Sequence, residues 1–322
     1  MNAFADGYET VEAYIIGITE RIWEQRGISL IRRWYTPDVV MHTAAGDFAG
    51  VETVVAGTID TLHGFPDRRL LAEDIIWSGP GTGGNAYSSH RIISTFHHRG
   101  DNAFGPATGR AVAVRTVADC LVRDGAICEE WLVRDQSAIA LQLGIAPADY
   151  GAHQAARLAA AGKSPPTAGW EEIRAAPPPT ADGTAGAEAA ALWLAIFNEA
   201  ALHRIAAQFD PAAHLLLPAG ALAYGHDGME RFAFGLLAAF PDARLSVEHV
   251  ITRQDPERPT RVALRWRLAG THSGHAVYGP PSGARLIIPG ITHLEMTAGR
   301  ITRCFVLIDE LAIWTAIALQ RG

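Results

Sequence analysis

Several features that large protein classes require are scarce or missing in this sequence. Lys163 is the only lysine among 322 residues, which argues against catalysis through a Schiff base. The net charge is −7 and no run of basic residues occurs, so neither nucleic acid nor an anionic membrane surface is an expected partner. Apolar runs are interrupted well before roughly 18 residues, and the N-terminus lacks the pattern of a signal peptide. We therefore expect a cytoplasmic protein.

The sequence also gives no indication of disulfides and contains none of the common cofactor-binding motifs. Cys120, Cys128 and Cys304 are odd in number and lie in apolar, strand-like runs, which predicts reduced, buried thiols. The sequence contains no glycine-rich dinucleotide motif, no P-loop and no Gly-x-Ser-x-Gly nucleophile elbow. Among the 13 histidines, neither the adjacent pair His97-His98 nor His272-x-x-His275 forms a closed ligand set with nearby carboxylates at a known metal-binding spacing. We expect no cofactor and no metal.

What the sequence does contain is an internal repeat. The segment from Phe65-Pro66-Asp67 to Leu143 recurs from Phe240-Pro241-Asp242 to Ile317, and from Tyr87 onward the offset is a constant 174 residues. Between the copies runs a stretch rich in proline and alanine, typical of a linker. The repeat predicts a first domain over residues 1–147, a linker over 148–186 and a second domain over 187–322.

Each copy begins with helical spacing and continues with strand-like runs. Apolar residues spaced as in a helix occupy 8–26, and a second helical stretch runs from Ser29 to Tyr35. Strands are predicted at 68–77, 86–98, 110–122 and 126–134, with counterparts at 243–253, 261–272, 285–296 and 300–308. Helices gathered on one side of an antiparallel sheet indicate an α+β architecture.

These motifs resemble a known family. The Phe-Pro-Asp motif opens the strand region of each copy, a Gly-Pro pair lies in the middle loop, and Asp135 or Asp309 begins the last helix. This pattern resembles the SnoaL-like polyketide cyclase or ester cyclase family, which has the cone fold of nuclear transport factor 2. The resemblance implies two tandem cone-shaped α+β barrels, each a curved antiparallel sheet around an apolar pocket. It also implies pairing of the two halves as an intramolecular pseudo-dimer, with further homodimerisation left open.

The resemblance also suggests catalytic residues. Asp135 and Asp309 match the aspartate that serves as acid and base in the cyclases, although an aspartate in this position also caps a helix. Trp131 falls on the same strand face as Asp135 by simple alternation, where it would desolvate the carboxylate. His90 and Asp119, both inside predicted strands, are further catalytic candidates.

A second set of residues is predicted to bind substrate. These residues lie in or beside the predicted strands, and they are His42, Arg115, Trp131, Glu130, His293 and Arg265. His293 aligns with Asp119, whereas His42 has no clear counterpart in the second copy. The two pockets therefore differ chemically, and we expect the first to be the active one.

The sequence as a whole favours an enzyme that uses acid–base chemistry without a cofactor. The resemblance implies a cyclase, isomerase or lyase acting on a small hydrophobic carbonyl compound. Two alternatives stay open at this point: a non-catalytic protein that binds small molecules or supports assembly, and a metal-assisted hydrolase.

Overall fold

The computed structural model describes residues 4–80, 83–164, 166–181 and 183–322, so that Pro165 and Asp182 of the predicted linker lie outside the described residues. The chain divides into two units. The first comprises Met1–Arg134 and Ala138–Ile145, and the second comprises Asp135–Ser137 and Ala146–Gly322. Asp135 therefore belongs to the second unit.

The first unit contains three helices, a six-stranded sheet and most of a closing helix, whose first two residues are assigned to the second unit. In chain order the elements are α1 (Val11–Trp23), α2 (Ile31–Trp34), β1 (Tyr35–Thr43), β2 (Gly46–Ala49), α3 (Val51–Gly64), β3 (Arg69–Ser78), β4 (Ala86–His97), β5 (Ala111–Arg123), β6 (Ala126–Arg134) and α4 (Gln136–Leu143). Thr10 caps α1 by accepting a hydrogen bond from Ala13 N at 3.1 Å, which explains why the helix starts later than the predicted residue 8.

The second unit repeats this order after two extra helices. Its elements are α5 (Pro147–Ala160), α6 (Trp170–Ala175), α7 (Thr184–Glu199), α8 (Ile205–Gln208), β7 (Phe209–Leu216), β8 (Leu222–Tyr224), α9 (Gly225–Ala239), β9 (Arg244–Arg253), β10 (Thr260–Thr271), β11 (Arg285–Thr297), β12 (Arg300–Ile308) and α10 (Glu310–Arg321). Most of α5 and all of α6 lie in the predicted linker, and Trp170 of α6 packs on Ala269 of β10.

Both sheets have the same strand order, β2-β1-β6-β5-β4-β3 and β8-β7-β12-β11-β10-β9. The α+β prediction is confirmed, with one difference from an all-antiparallel sheet. The β1–β6 and β7–β12 pairs are parallel. Strand β1 was not predicted because Pro37 interrupts its apolar pattern. This proline lies where the register between β1 and β6 shifts, a position that tolerates the missing N–H.

The hairpins between the last two strands of each sheet follow directly from the sequence. Asp124-Gly125 and Ala298-Gly299 both have positive φ angles at the two turn residues, 49° and 83° in the first and 49° and 76° in the second. Such turns match the right-handed twist of the strands that they join. This geometry sets the register of β5 on β6 and of β11 on β12.

The apolar cores of the two units are organised differently. In the first unit, one buried cluster includes Tyr14, Trp34 and Val122, and a separate one includes Phe65, Phe96 and Ile139. In the second unit a single cluster runs from α7 across the sheet to α10. Something other than apolar packing therefore occupies the middle of the first unit.

Candidate functional site

The first sheet has an inner face, which is turned toward α1, and an opposite outer face. On β4 the inner face carries Ser88, His90, Ile92, Ser94 and Phe96, and their partners on β5 are Cys120, Ala118, Thr116, Val114 and Val112. Strand β6 adds Glu130, Leu132 and Arg134. Side chains of α1 and His90 line one cavity, which shows that this face looks toward the helix. Several polar groups thus lie between the two apolar clusters.

Glu130 is a buried carboxylate on this inner face, with 6% of the residue exposed. The Tyr35 hydroxyl donates a hydrogen bond to Glu130 Oε2 at 2.9 Å. Burial raises the pKa of Glu130, while this hydrogen bond and the positive charge of Arg134 act in the opposite direction. Burial and the neighbouring carboxylate also raise the pKa of Tyr35, so the phenol keeps its proton. The raised pKa makes Glu130 a stronger base than an exposed glutamate.

His90 lies on the same face in β4, and β5 separates it from β6. It is 2% exposed, and burial lowers the pKa of its imidazole to about 3, so the ring is neutral at physiological pH. Its Nε2 atom has no hydrogen-bond partner within the described residues. A cavity of about 200 Å³ between α1 and β3 includes Thr19, Ala72 and His90 in its wall. A neutral imidazole in this position can exchange a hydrogen bond with a bound molecule.

Arg68 completes the polar part of the inner face. Its guanidinium donates from Nη2 to Ser94 Oγ at 3.0 Å and lies 5.4 Å from the ring centroid of Trp23 and 5.0 Å from that of Phe96. Burial, together with the positive charge of Arg134, lowers the pKa of Arg68 to about 9. The group is therefore still charged at neutral pH.

The inner face of the second sheet is apolar at the corresponding positions. Val262, Leu264, Trp266 and Leu268 of β10 face Leu294, Thr292, Gly290 and Ile288 of β11. The Trp266 ring covers Gly290 so closely that a Cβ atom there would lie 2.2 Å from the ring. Its Nε1–H donates to Thr292 Oγ1 at 3.0 Å. The indole occupies the centre of this face, so the second unit lacks an equivalent polar site.

A family model supports this architecture. The model described as SnoaL-like polyketide cyclase matches residues 13–143 and, a second time, residues 187–317. The chain belongs to the SnoaL-like polyketide cyclase family. The two matches confirm the tandem duplication.

Solved structures of the family are similar to single copies of the chain. IdmH from Streptomyces antibioticus is 23% identical, with a TM-score of 0.37 over 42% of this chain and 98% of that one. A SnoaL-like protein from Jannaschia sp. CCS1 is 21% identical, with a TM-score of 0.37 over 44% and 98% of the two chains. AclR from Streptomyces galilaeus is 22% identical, with a TM-score of 0.36 over 41% and 94%. No curated protein matches the chain.

The predicted site residues divide between the two faces of the first sheet. His90 and Glu130 lie on the inner face. Asp119 and Trp131 are cross-strand partners on the outer face, so alternation directs them away from α1. Arg115, also on the outer face, forms a bidentate ion pair with Glu73 at 2.8 and 2.9 Å.

The side chain of His42 also makes its contacts on the outer face. Its ring stacks on Trp131 with centroids 4.9 Å apart. Its two nitrogens lie 2.9 Å from Asp47 Oδ1 and 2.9 Å from Glu129 Oε1. The roles predicted for His42, Arg115, Asp119 and Trp131 stay predictions, and the structure does not bring these residues together with Glu130 and His90.

Asp135 and Asp309 are both buried, and both bind backbone amides. Asp135 accepts hydrogen bonds from Ala219 N and Gly220 N, each at 2.9 Å, within the second unit. Asp309 caps α10 by accepting from Leu311 N at 3.1 Å and also accepts from Gln136 Nε2. Burial raises the pKa of Asp309 to about 6. Asp309 is thus a helix cap, which is the alternative role considered for it from the sequence. The catalytic role of either aspartate stays a prediction.

His293 and Arg265 lie on the outer face of the second sheet. His293 is paired across the ladder with Ala263 and Phe305. Arg265 approaches Glu248 with its Nε atom 3.7 Å from Oε2. Both residues are buried, and their predicted contact with substrate stays a prediction.

The Phe-Pro-Asp motif has a structural role in both copies. Asp67 Oδ1 accepts a hydrogen bond from His97 N at 2.9 Å, and Asp242 Oδ1 accepts one from Thr271 N at 2.7 Å. Each carboxylate ties the turn before the first long strand to the end of the next strand. The motif therefore identifies the fold and does not point to the polar inner face.

Sequence reasoning missed Tyr35, Arg68, Ser94, Thr116 and Arg134. A signal for most of them was available in the repeat itself. Arg68, which follows the Phe-Pro-Asp motif, has Ala243 as its counterpart, and Arg134 has Ile308. Positions that are polar in one copy and apolar in the other mark a difference in function more directly than positions that both copies share.

Two further findings concern membrane insertion and metal binding. Among the described helices, none has the length and apolar character that a bilayer crossing requires. In the part of the chain that the structure describes, no group of three or more His, Cys, Asp or Glu side chains is arranged to hold a metal ion.

Proposed function

We propose that the inner face of the first sheet catalyses proton transfer next to a carbonyl group, in a cyclisation, isomerisation or elimination that needs no cofactor. The observation that carries this proposal is Glu130, a buried carboxylate with a raised pKa on a wall that also carries hydrogen-bond donors. The family supports a reaction of this type. The specific substrate is not part of the proposal.

Glu130 acts as the general base. One of its carboxylate oxygens removes a proton from the carbon beside the carbonyl, and the electron pair of that C–H bond moves to the carbonyl oxygen, giving an enolate. Tyr35 donates to the other side of the carboxyl group and holds its orientation. The proton on Glu130 then returns to a second carbon in an isomerisation, or to the alkoxide that forms when the enolate carbon attacks another carbonyl group.

The enolate needs groups that stabilise negative charge. Arg134 contributes a positive charge close to Glu130, and the neutral His90 ring, two strands away on the same face, offers a hydrogen bond. These donors are fixed by the sheet before substrate binds, so little reorganisation is required during the reaction. The surrounding apolar clusters lower the local polarity and strengthen both interactions.

For the second unit we propose a structural role. Its inner face is filled by Trp266 and aliphatic side chains, and the positions of Glu130 and His90 are taken by Cys304 and Leu264. Such a face stabilises the unit through packing and has no carboxylate to act as base.

The proposal is tested by exchange of hydrogen for deuterium in D₂O, followed by NMR on a panel of ketones with and without a carboxylate. Glu130→Gln should slow the exchange by about 100-fold to 10,000-fold with an unchanged circular dichroism spectrum. In the wild type the rate should rise with pH as Glu130 loses its proton, at a pH above the usual range of glutamate. Asp135→Asn serves as the matched control. Loss of exchange in Asp135→Asn, with normal exchange in Glu130→Gln, would move the base to Asp135.

A further inference from the structure

The guanidinium of Arg68 is buried without an anionic partner. Arg68 is 4% exposed, and its polar contact is the hydroxyl of Ser94. Within the described residues no carboxylate lies at ion-pair distance from it, and its Nε atom has no hydrogen-bond partner. Glu24, on the same side of the sheet, accepts a hydrogen bond from Leu70 N through Oε1, while its Oε2 has no partner within the described residues and makes no ion pair with Arg68. A buried charge without a counterion is unfavourable, and a strongly perturbed buried group of this kind marks a candidate ligand site.

The groups around Arg68 extend this feature into a site. Thr116 is 3% exposed, and its hydroxyl has no partner within the described residues. It lies on the strand next to Ser94, and its partner on β6 is Arg134. Arg134 is close enough to affect the pKa of Arg68 through its charge. Two guanidiniums and two hydroxyls therefore share one part of the inner face.

The second copy lacks all four groups. The counterparts of Arg68, Ser94, Thr116 and Arg134 are Ala243, Leu268, Gly290 and Ile308. The fold is the same in both units, so neither the sheet nor the helices require an arginine or a hydroxyl at these positions. The shared fold therefore does not account for these four polar side chains, and ligand binding does.

We propose that Arg68, Ser94, Thr116 and Arg134 bind a carboxylate of the substrate, so that the first unit acts on monoanionic oxo acids. This inference rests on the proposed function and adds the chemical class of the substrate. The charge balance selects a monoanion, because Glu130 offsets Arg134 and one positive charge, that of Arg68, is left. A planar guanidinium binds a carboxylate through two parallel hydrogen bonds, and the hydroxyls can donate to the same oxygens.

Isothermal titration calorimetry on the full chain tests this proposal, with benzoate as the probe and benzamide as its uncharged analogue. Benzoate should bind at least about tenfold more tightly than benzamide, since a hydrogen bond to a charged group is lost with benzamide. Arg68→Met should weaken benzoate binding about tenfold to 100-fold and leave benzamide unchanged. Ser94→Ala and Thr116→Val, which keep the charge, should weaken benzoate binding less.

The control variant is Arg303→Met, because Arg303 is a half-exposed arginine of the second unit, paired with Glu295. It should bind benzoate as the wild type does. Equal affinities for benzoate and benzamide, or absence of saturable benzoate binding, would overturn the proposal. Inorganic phosphate binding more tightly than benzoate would overturn the choice of a carboxylate. If Arg68→Met does not fold, Ser94→Ala and Thr116→Val decide the question, and unchanged benzoate affinity in both contradicts the site.

The outcome is separable from that of the proposed function. Glu130→Gln should lose proton exchange and bind benzoate at least as tightly as the wild type, because the substitution removes the base and also the negative charge that offsets Arg134. Benzoate binding without exchange activity in the wild type would leave the anion site standing and remove the catalytic proposal. Exchange of neutral ketones without benzoate binding would do the reverse.

Discussion

The two units have the same strand order and the same motifs, yet they place opposite chemistry on the inner faces of their sheets. The first unit has Ser88, His90, Ser94, Glu130 and Arg134 where the second has Val262, Leu264, Leu268, Cys304 and Ile308. Burying polar groups costs stability unless they find partners. The first unit carries that cost, which points to function, whereas the second has apolar side chains at the same positions.

The difference is also visible in the cores. The polar inner face separates two apolar clusters in the first unit, while one continuous cluster with Trp266 at its centre fills the second. A duplicated fold therefore does not imply a duplicated site.

The largest effect, on proton exchange, is expected when residues on the inner face of the first sheet are replaced by their counterparts in the second sheet. The substitutions Ile92→Trp, Thr116→Gly and Ala118→Thr copy Trp266, Gly290 and the hydrogen-bond acceptor Thr292. The indole should then cover the centre of the face and reduce proton exchange at least about 100-fold, measured by NMR in D₂O. Ile92→Val is the control and should keep its activity. Normal exchange in the triple variant would show that the reaction takes place elsewhere.

An intermediate effect is expected from pH on the second unit. Burial raises the pKa of Asp309 to about 6 and that of Glu310 to about 7, and the first copy has Gln136 in place of Glu310. Because the folded state favours the protonated forms, their stabilisation is complete below about pH 4 and is lost as the pH rises through 6 and 7.

The unfolding free energy of the second unit should therefore fall by about 6 kcal/mol between pH 4 and 8, about half of it from each carboxyl group, measured by urea denaturation. The charged and titratable groups near this pair are Asp135, Tyr150 and Tyr278, and the Tyr278 hydroxyl donates to Glu310 Oε1 at 2.9 Å. The double variant Asp309→Asn, Glu310→Gln should show a flatter pH profile. An equally steep profile in that variant would assign the dependence to other groups.

The smallest effect is expected from substitutions in the Phe-Pro-Asp motif, which has the same structural role in both units. Asp67→Ala and Asp242→Ala each remove the acceptor of one backbone N–H, that of His97 or Thr271. Each should cost about 1–3 kcal/mol of unfolding free energy, and the two costs should be similar. Urea unfolding of both variants measures the difference. A much larger cost in one unit, or loss of exchange activity with normal stability in Asp67→Ala, would contradict a purely structural motif.

The sequence predicted most strands to within one or two residues, because alternation and hairpin glycines are local signals. Strand β6 coincides with the predicted 126–134. The prediction that Asp135 shares a face with Trp131 applied the alternation of strand side chains to a residue that follows the end of the strand. Strand β6 ends at Arg134, and beyond a strand end the alternation of side chains no longer determines their direction.

The sequence by itself determined the duplication, the α+β class, the family and the positions of the long strands, because repeats, periodicity and turn residues act over short distances along the chain. Only the tertiary structure decided which face of each sheet is turned toward the helices. Alternation defines two faces but does not distinguish them, since both carry polar and apolar residues here. That choice brings Tyr35 to Glu130 and Arg68 to Ser94, pairs separated by 95 and 26 residues in the chain.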